Sequence, residues 1–135
     1  MSKRKLVDTN LIVRYLVQDH EKHAKAAGRL FEACDRGETV VVILPAVLAE
    51  CVFVLESFYQ HPRSSIASAL ARFISSPGVE IGQLTTHLDA LARFKSTKIH
   101  FVDCLIAAAA VTEDLPVATF DQDFRKFRDV RVEAD

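Results

Sequence analysis

The chain has 135 residues, of which 50% are hydrophobic and 26% are charged, an ordinary composition for a globular protein. This length predicts one domain, residues 1–135, with a core of useful size. Its 17 basic and 18 acidic residues give a net charge of −1, which excludes the overall basic field of many nucleic-acid binders. Contacts with phosphate groups would therefore depend on a local basic rim.

Three cysteines are scattered in apolar helical contexts: Cys34, Cys51 and Cys104. An odd count without short spacing indicates reduced, buried thiols and a cytoplasmic protein. The chain reaches Asp8 after only two apolar residues, which does not fit a signal peptide. The longest apolar run, 40–55, contains Pro45 and Glu50, so we do not expect it to span a membrane.

The predicted elements alternate between strand and helix. The first half gives a strand over 5–7, helices over 9–17 and 20–36, a β-branched strand over 39–43 and a helix that opens at Pro45. Next come a helix capped by Ser64 or Ser65, a turn over 75–78, a strand over 79–81 and a helix starting at Thr85 or Thr86. A central alanine-rich helix over 103–112, a strand over 117–120, a short helix from Asp121 to Phe127 and a strand over 130–132 complete the chain. This alternation predicts an α/β fold whose parallel sheet is covered by helices on both faces.

Asp8, Asp103 and Asp121 each stand at or near a predicted helix start. Taken singly, each is explained as an N-cap or as a charge that stabilises the helix dipole. Open α/β sheets, however, bind ligands at the carboxyl ends of their strands. Because Asp8 follows the first strand and Asp121 the fourth, we expect both at that edge. Asp103 heads a helix whose small same-side residues, Ala107 and Ala110, would let it approach the sheet closely.

Glu50 is the only charged side chain from Val40 to Leu55. Burying an ionised carboxylate is costly unless it is paired or binds a metal, so Glu50 is predicted to join the other three acids. A buried ion pair or a protonated acid is the alternative. Four converging carboxylates suit one or two Mg²⁺ or Mn²⁺ ions, which prefer oxygen ligands and could activate a scissile phosphate. Without metal their repulsion should raise at least one pKa.

Histidines and basic residues carry weaker signals. The five histidines show no metal-ligand spacing and are interpreted as surface or helix-end residues, so zinc is not expected. Seven basic residues could form the rim: Arg14, Arg93, Lys95, Lys98, Arg125, Lys126 and Arg128. A solvated charged surface explains each of them equally well when it is taken singly.

Four motifs, in order, resemble those of PIN-domain nucleases. They are Asp8-Thr9-Asn10 after a first strand, Glu50 within 47–50, Asp103 within 101–108, and Thr119-Phe120-Asp121-Gln122-Asp123-Phe124. The pattern is most similar to the VapC-type toxins of bacterial and archaeal toxin–antitoxin pairs, over essentially the whole chain. The resemblance implies a Mg²⁺- or Mn²⁺-dependent endoribonuclease with a Rossmann-like, three-layer α/β/α sandwich. It also implies a homodimer and a small antitoxin that blocks the site and binds operator DNA.

Carried over residue by residue, the resemblance assigns catalysis and metal binding to Asp8, Glu50 and Asp103. Either Asp121 or Asp123 is the fourth acid. We prefer Asp121, because it directly follows the predicted strand. The supporting residues are Thr9 and Asn10 in the first motif, and Thr119 and Asp123, either of which could hold Asp121 through a hydrogen bond.

Other classes of protein also cluster acids at strand ends. A phosphoacceptor receiver domain would place an acidic pair after its first strand and a lysine after its last, and neither is present. A haloacid-dehalogenase phosphatase would need a second aspartate at the position of Asn10. A non-catalytic RNA-binding or signalling module with an acidic pocket stays open as the alternative to a nuclease.

Overall fold

A computed structural model of the chain describes residues 3–133. Residues 1–2 and 134–135 lie outside the described residues. The prediction that the chain has no signal peptide falls partly on the first two of them. The chain divides into two compact units, the first ending at Leu84 and the second beginning at Thr85. Each unit is described by itself, and one domain over residues 1–135 stays a prediction. Among the helices of residues 3–133, none has the combined length and apolar character that crossing a membrane requires.

The first unit contains a three-stranded parallel sheet and four helices. Its elements are β1 (Lys3–Leu6), α1 (Thr9–Val17), α2 (Glu21–Asp35), β2 (Thr39–Ile43), α3 (Pro45–Ser57), α4 (Arg63–Ile74) and β3 (Val79–Ile81). The strand order is β1-β2-β3, with Leu6 opposite Val42 and Ile43 opposite Ile81. Because the strands are parallel and in this register, β1 and β2 end at the same sheet edge. The helices that follow them, α1 and α3, therefore both begin there.

Strand β2 is the centre of this sheet. Its residues alternate between buried and half-buried, and the side chains of Val41 and Ile43 are essentially inaccessible to solvent. This alternation follows from the two-residue period of a strand that carries a β-branched run. The strongly buried faces of α1, α3 and α4 complete the core, with Ile12, Leu48 and Leu70 all 1% exposed or less.

The second unit contains two long helices, a short 3-10 helix and a two-stranded parallel ribbon. Its elements are α5 (Leu84–Ser96), α6 (Phe101–Glu113), β4 (Val117–Ala118), the 3-10 helix (Gln122–Lys126) and β5 (Val132–Glu133). Strand β4 pairs with β5 so that Val117 lies opposite Val132. Phe94 and Phe101 are buried, and their ring centroids are 6.0 Å apart in an edge-to-face arrangement.

The predicted α/β class with parallel strands is confirmed, and α1, β2 and β3 have the predicted bounds. All three cysteines are free and buried, as predicted. Helix α4 begins earlier than predicted, because Pro62 is its N-cap and neither Ser64 nor Ser65 caps it. Helix α5 likewise begins at Leu84 rather than at Thr85 or Thr86.

Three further predictions were wrong. Strand β4 ends at Ala118 rather than at residue 120, because the chain turns at Thr119. Helix α6 is not buried all round, since Val102 and Ile106 are more than 40% exposed. His87 is a core residue at 1% exposure, whereas the histidines were predicted at the surface or at helix ends.

Candidate functional site

Asp8 lies two residues after the end of β1 and is the N-cap of α1. Its backbone is extended, and its Oδ1 accepts a hydrogen bond from the Leu11 N–H at 3.0 Å. The N-cap interpretation of this residue is therefore confirmed. The cap uses one carboxylate oxygen, so the exposed side chain can hold a ligand with the other.

Glu50 lies in the second turn of α3, and its side chain is exposed. The prediction that it would be buried was wrong, because Leu48, Cys51 and Val52 form the buried face of this helix. The cost of burying a charge is therefore no argument for a metal at Glu50. A better argument for placing Glu50 in the site is that its charge and that of Asp8 act on the same thiol, Cys51.

Asp8 and Glu50 lie near the same buried sulfur. Helix α1 packs against α3, and the Cys51 thiol of α3 is completely buried. Burial raises the pKa of this thiol to about 12, and the negative charges of Glu50 and then Asp8 contribute to the increase. Two of the predicted acids thus lie within electrostatic range of the same thiol.

The first motif's supporting residues have different environments. Thr9 is buried at the first position of α1. Asn10 is exposed and lines a cavity of about 260 Å³ with Leu11, Arg14 and His23, between α1 and α2. Their side chains therefore leave the helix in different directions.

Asp103 lies in the first turn of α6, where His100 is the N-cap. Its carboxyl is half-buried, and its pKa is raised above the ordinary value. Burial is the largest cause, repulsion by the charge of Asp121 is the second, and Asp123 adds a smaller contribution, while His100 acts in the opposite direction. A raised carboxyl pKa among the clustered acids was predicted and is found at Asp103, although burial contributes more than repulsion does.

Asp121 is held by hydrogen bonds on both sides. Its own N–H donates to Thr119 Oγ1 at 2.9 Å, and its Oδ1 accepts from the Asp123 N–H at 2.9 Å. Asp121 is thus the N-cap of the 3-10 helix, as predicted. It does not directly follow a strand, because β4 ends at Ala118. The Asp123 carboxylate instead forms an ion pair with Lys126 at 2.9 Å.

Each unit carries two of the four acids, Asp8 and Glu50 in the first and Asp103 and Asp121 in the second. Within residues 3–133, none of these four carboxylates has a lysine, arginine or histidine nitrogen within 4.0 Å. In the same part of the chain, no three histidine, cysteine, aspartate or glutamate side chains form a group able to hold a metal ion. The donors in each pair are carboxylate oxygens, the chemistry that Mg²⁺ and Mn²⁺ prefer.

Comparison with known families gives one match that spans nearly the whole chain. The PIN domain family matches residues 5–130, which include most of both units and all four acids. The chain belongs to the PIN domain family. Membership confirms the predicted family and PIN-like fold, and it supports a nuclease function.

Two solved structures are similar to this PIN domain. One is VapBC2 from Rickettsia felis bound to a DNA fragment from their promoter, at 19% identity, covering 97% of this chain and 98% of that chain with a TM-score of 0.42. The other is VapC20 of Mycobacterium tuberculosis, a sarcin-ricin loop cleaving toxin, at 24% identity, covering 94% and 98% with a TM-score of 0.43. No curated protein matches the chain.

Several basic residues that were candidates for a rim around the PIN domain's acids have other partners. Arg14 pairs with Asp19, which also accepts a hydrogen bond from the Tyr59 hydroxyl at 2.7 Å. The Arg93 side chain is only 12% exposed and binds two carboxylates. The sequence analysis did not predict these ion pairs. The pair with Asp89 could have been predicted, because the two residues are four positions apart on one helix.

Proposed function

We propose that this PIN domain is a Mg²⁺- or Mn²⁺-dependent endoribonuclease whose catalytic and metal-binding acids are Asp8, Glu50, Asp103 and Asp121. The observation that carries the proposal is the match of residues 5–130 to the PIN domain family, and it is supported by the raised pKa of Asp103. Its ionised form is disfavoured by burial and by a neighbouring acid, and a bound cation would offset both effects. A perturbed carboxyl beside a second acid is also a general mark of functional sites.

The carboxylates fit this role by their chemistry. Asp103 would supply a charged ligand from the start of α6, and Asp121 would supply an oxygen other than the Oδ1 that caps the 3-10 helix. Asp8 would act in the same way at the start of α1, and Glu50 would supply a carboxylate from α3. When bound, the ion would polarise the scissile phosphate and offset the charge that develops on the leaving oxygen. Thr119 and the Asp123 N–H would keep the Asp121 carboxylate oriented, and Thr9 and Asn10 would shape the start of α1.

The test is the substitution Asp103→Asn, which removes ligand charge with little change of shape. We expect the initial rate of RNA cleavage with Mn²⁺ to fall by about a hundredfold or more. Mn²⁺ affinity, measured by calorimetry, should fall as well. Glu113→Gln is the matched control, because Glu113 is an exposed acid at the opposite end of the same helix. Cleavage at the parental rate by Asp103→Asn, or undiminished cleavage by the wild type after chelation, would refute the proposal.

We further propose that the protein is a cytoplasmic toxin that forms a homodimer and is blocked by a cognate antitoxin. The support is the motif resemblance together with exposed apolar side chains, since Phe53 and Phe58 at the end of α3 are 60% and 77% exposed. Exposed apolar groups of this size commonly mark protein interfaces. Light scattering should give twice the 15.0 kDa mass of the chain. A short neighbouring gene for a DNA-binding protein that abolishes cleavage when co-expressed would support the antitoxin, and operator DNA would be bound through that partner.

A further inference from the structure

Arg93 lies on α5 and joins that helix to the segment that follows the 3-10 helix. Its Nε donates to Asp89 Oδ1 at 3.1 Å, one turn earlier on the same helix. Its Nη1 and Nη2 donate to the two oxygens of Asp129 at 2.9 and 2.5 Å. The guanidinium carbon also lies 5.1 Å from the centroid of the Phe127 ring. One side chain, 12% exposed, thus makes a two-pronged ion pair and a cation–π contact with the same short segment.

That segment is the continuation of the 3-10 helix whose N-cap is Asp121. Phe127 is the C-cap, and its N–H donates to the Phe124 carbonyl at 3.2 Å. At the other end, the Asp121 carboxylate accepts from the Asp123 N–H, so its orientation depends on where the first turn of this helix lies. The helix has only five residues, too few to be rigid without attachments to the rest of the unit.

The segment is held on two sides. Before Asp121, the Thr119 N–H donates to the Glu133 carbonyl and so continues the pairing of β4 with β5. After the helix, the Asp129 carboxylate and the Phe127 ring are held by Arg93. The pKa of Arg93 is raised and that of Asp129 is lowered, each chiefly by their mutual hydrogen bonds, so both groups stay charged.

We propose that Arg93 is a positioning residue of the nuclease, which fixes the orientation of the Asp121 carboxylate by anchoring the far end of the 3-10 helix to α5. The inference rests on the proposed function, because it assumes that Asp121 takes part in cleavage. The Arg93 side chain is only 12% exposed, and we assign it no contact with the substrate. It acts through Asp129 and Phe127, and a misplacement of about 1 Å can cost an enzyme roughly a hundredfold in rate.

The two carboxylates bound by Arg93 provide a matched pair of variants. Asp129→Asn weakens the tie to the segment that follows Asp121, whereas Asp89→Asn weakens a tie within α5 alone. Each substitution removes one of the two carboxylate charges that pair with the same guanidinium. We expect Asp129→Asn to lower kcat for RNA cleavage about tenfold with KM nearly unchanged, and Asp89→Asn to leave kcat within about twofold. Arg93→Lys, which keeps the charge and loses the two-pronged geometry, should resemble Asp129→Asn.

A second readout does not depend on cleavage. The Asp123 N–H is bonded to the Asp121 carboxylate, so its solvent exchange, measured by NMR, reports the cap directly. We expect this exchange to be several-fold faster in Asp129→Asn and Arg93→Lys than in wild type or Asp89→Asn. Amides in the middle of α6 should be unchanged, which separates a local effect from general unfolding.

The outcomes separate the two proposals. Equal losses of kcat in Asp89→Asn and Asp129→Asn, or an unchanged Asp123 amide in Asp129→Asn and Arg93→Lys, would overturn the positioning role of Arg93. If Asp121→Asn cleaves as fast as the wild type while the Asp123 amide responds as expected, Asp121 is not a catalytic acid, and the failure lies in the proposed site. If Arg93→Lys does not fold, the comparison of Asp129→Asn with Asp89→Asn decides alone.

Discussion

Replacing Gly78 with alanine should destabilise the first unit for two separable reasons. The φ angle of Gly78 is +73°, in the left-handed region, where a side chain costs about 1–2 kcal/mol. A Cβ atom there would also lie 2.7 Å from the Cβ of Cys34 and 2.9 Å from the Thr39 carbonyl oxygen. Overpacking of this kind costs about 1–3 kcal/mol, so the total should be about 2–5 kcal/mol.

Gly37 provides the control for the backbone part of this cost. Its φ is +76°, nearly the same, but nothing lies within 4 Å of the position that a Cβ would take. Gly37→Ala should therefore cost only about 1–2 kcal/mol. Urea unfolding of both variants, with the m-value held constant, measures the difference. If the two substitutions cost the same, Gly78 does not lie as close to Cys34 as the structure places it.

The Gly78→Ala substitution should also affect the candidate site. The Gly78 carbonyl accepts a hydrogen bond from the Val41 N–H at 2.8 Å, so this close approach fixes where β3 meets β2. Helix α3, which carries Glu50, begins two residues after β2 ends. A shift of β2 would therefore move Glu50, and Gly78→Ala should also lower cleavage at matched folded fractions.

The remaining predictions concern the acids of the second unit. Because the pKa of Asp103 is raised, its ionised form destabilises the folded state at neutral pH, so metal-free Asp103→Asn should melt higher than the wild type. The pKa of Asp114 is lowered by Arg131, so Asp114→Asn should melt lower, and calorimetry showing the same sign for both would contradict the electrostatic argument. Asp121→Asn should reduce cleavage with saturating Mn²⁺ more than Asp123→Asn does, because the Asp123 carboxylate is already paired with Lys126. The reverse order would make Asp123 the fourth acid.

Local sequence signals predict the elements of this fold well where side-chain chemistry decides them. The β-branched run of β2 and the proline that opens α3 determine their own boundaries. The end of β4 could not be predicted in the same way. Thr119 and Phe120 have the composition of a strand, but the Thr119 hydroxyl binds the Asp121 N–H and starts a turn.

Burial could not be predicted from an apolar helix alone. Glu50 was expected inside the protein because its neighbours on α3 are apolar, yet the structure leaves Phe53 of the same helix 60% exposed. An apolar sequence does not distinguish a face that packs in the core from one that packs on a partner. The ion pair between Arg93 and Asp129 could not be predicted from the sequence for a different reason, because 36 residues separate the two partners.

The charges of the second unit are distributed unequally, and this bears on the function. Three of its basic side chains, Arg93, Lys126 and Arg131, pair with carboxylates whose roles are structural or supporting, in the pairs Arg93–Asp89, Arg93–Asp129, Lys126–Asp123 and Arg131–Asp114. Asp103 and Asp121, by contrast, repel each other, and half-burial of Asp103 increases the cost of its charge. The substitution Asp103→Asn would relieve that cost with nearly the same shape. An acid whose charge lowers the stability of its own fold has a physical reason to be present if a cation binds to it, because binding to the folded state would offset that cost.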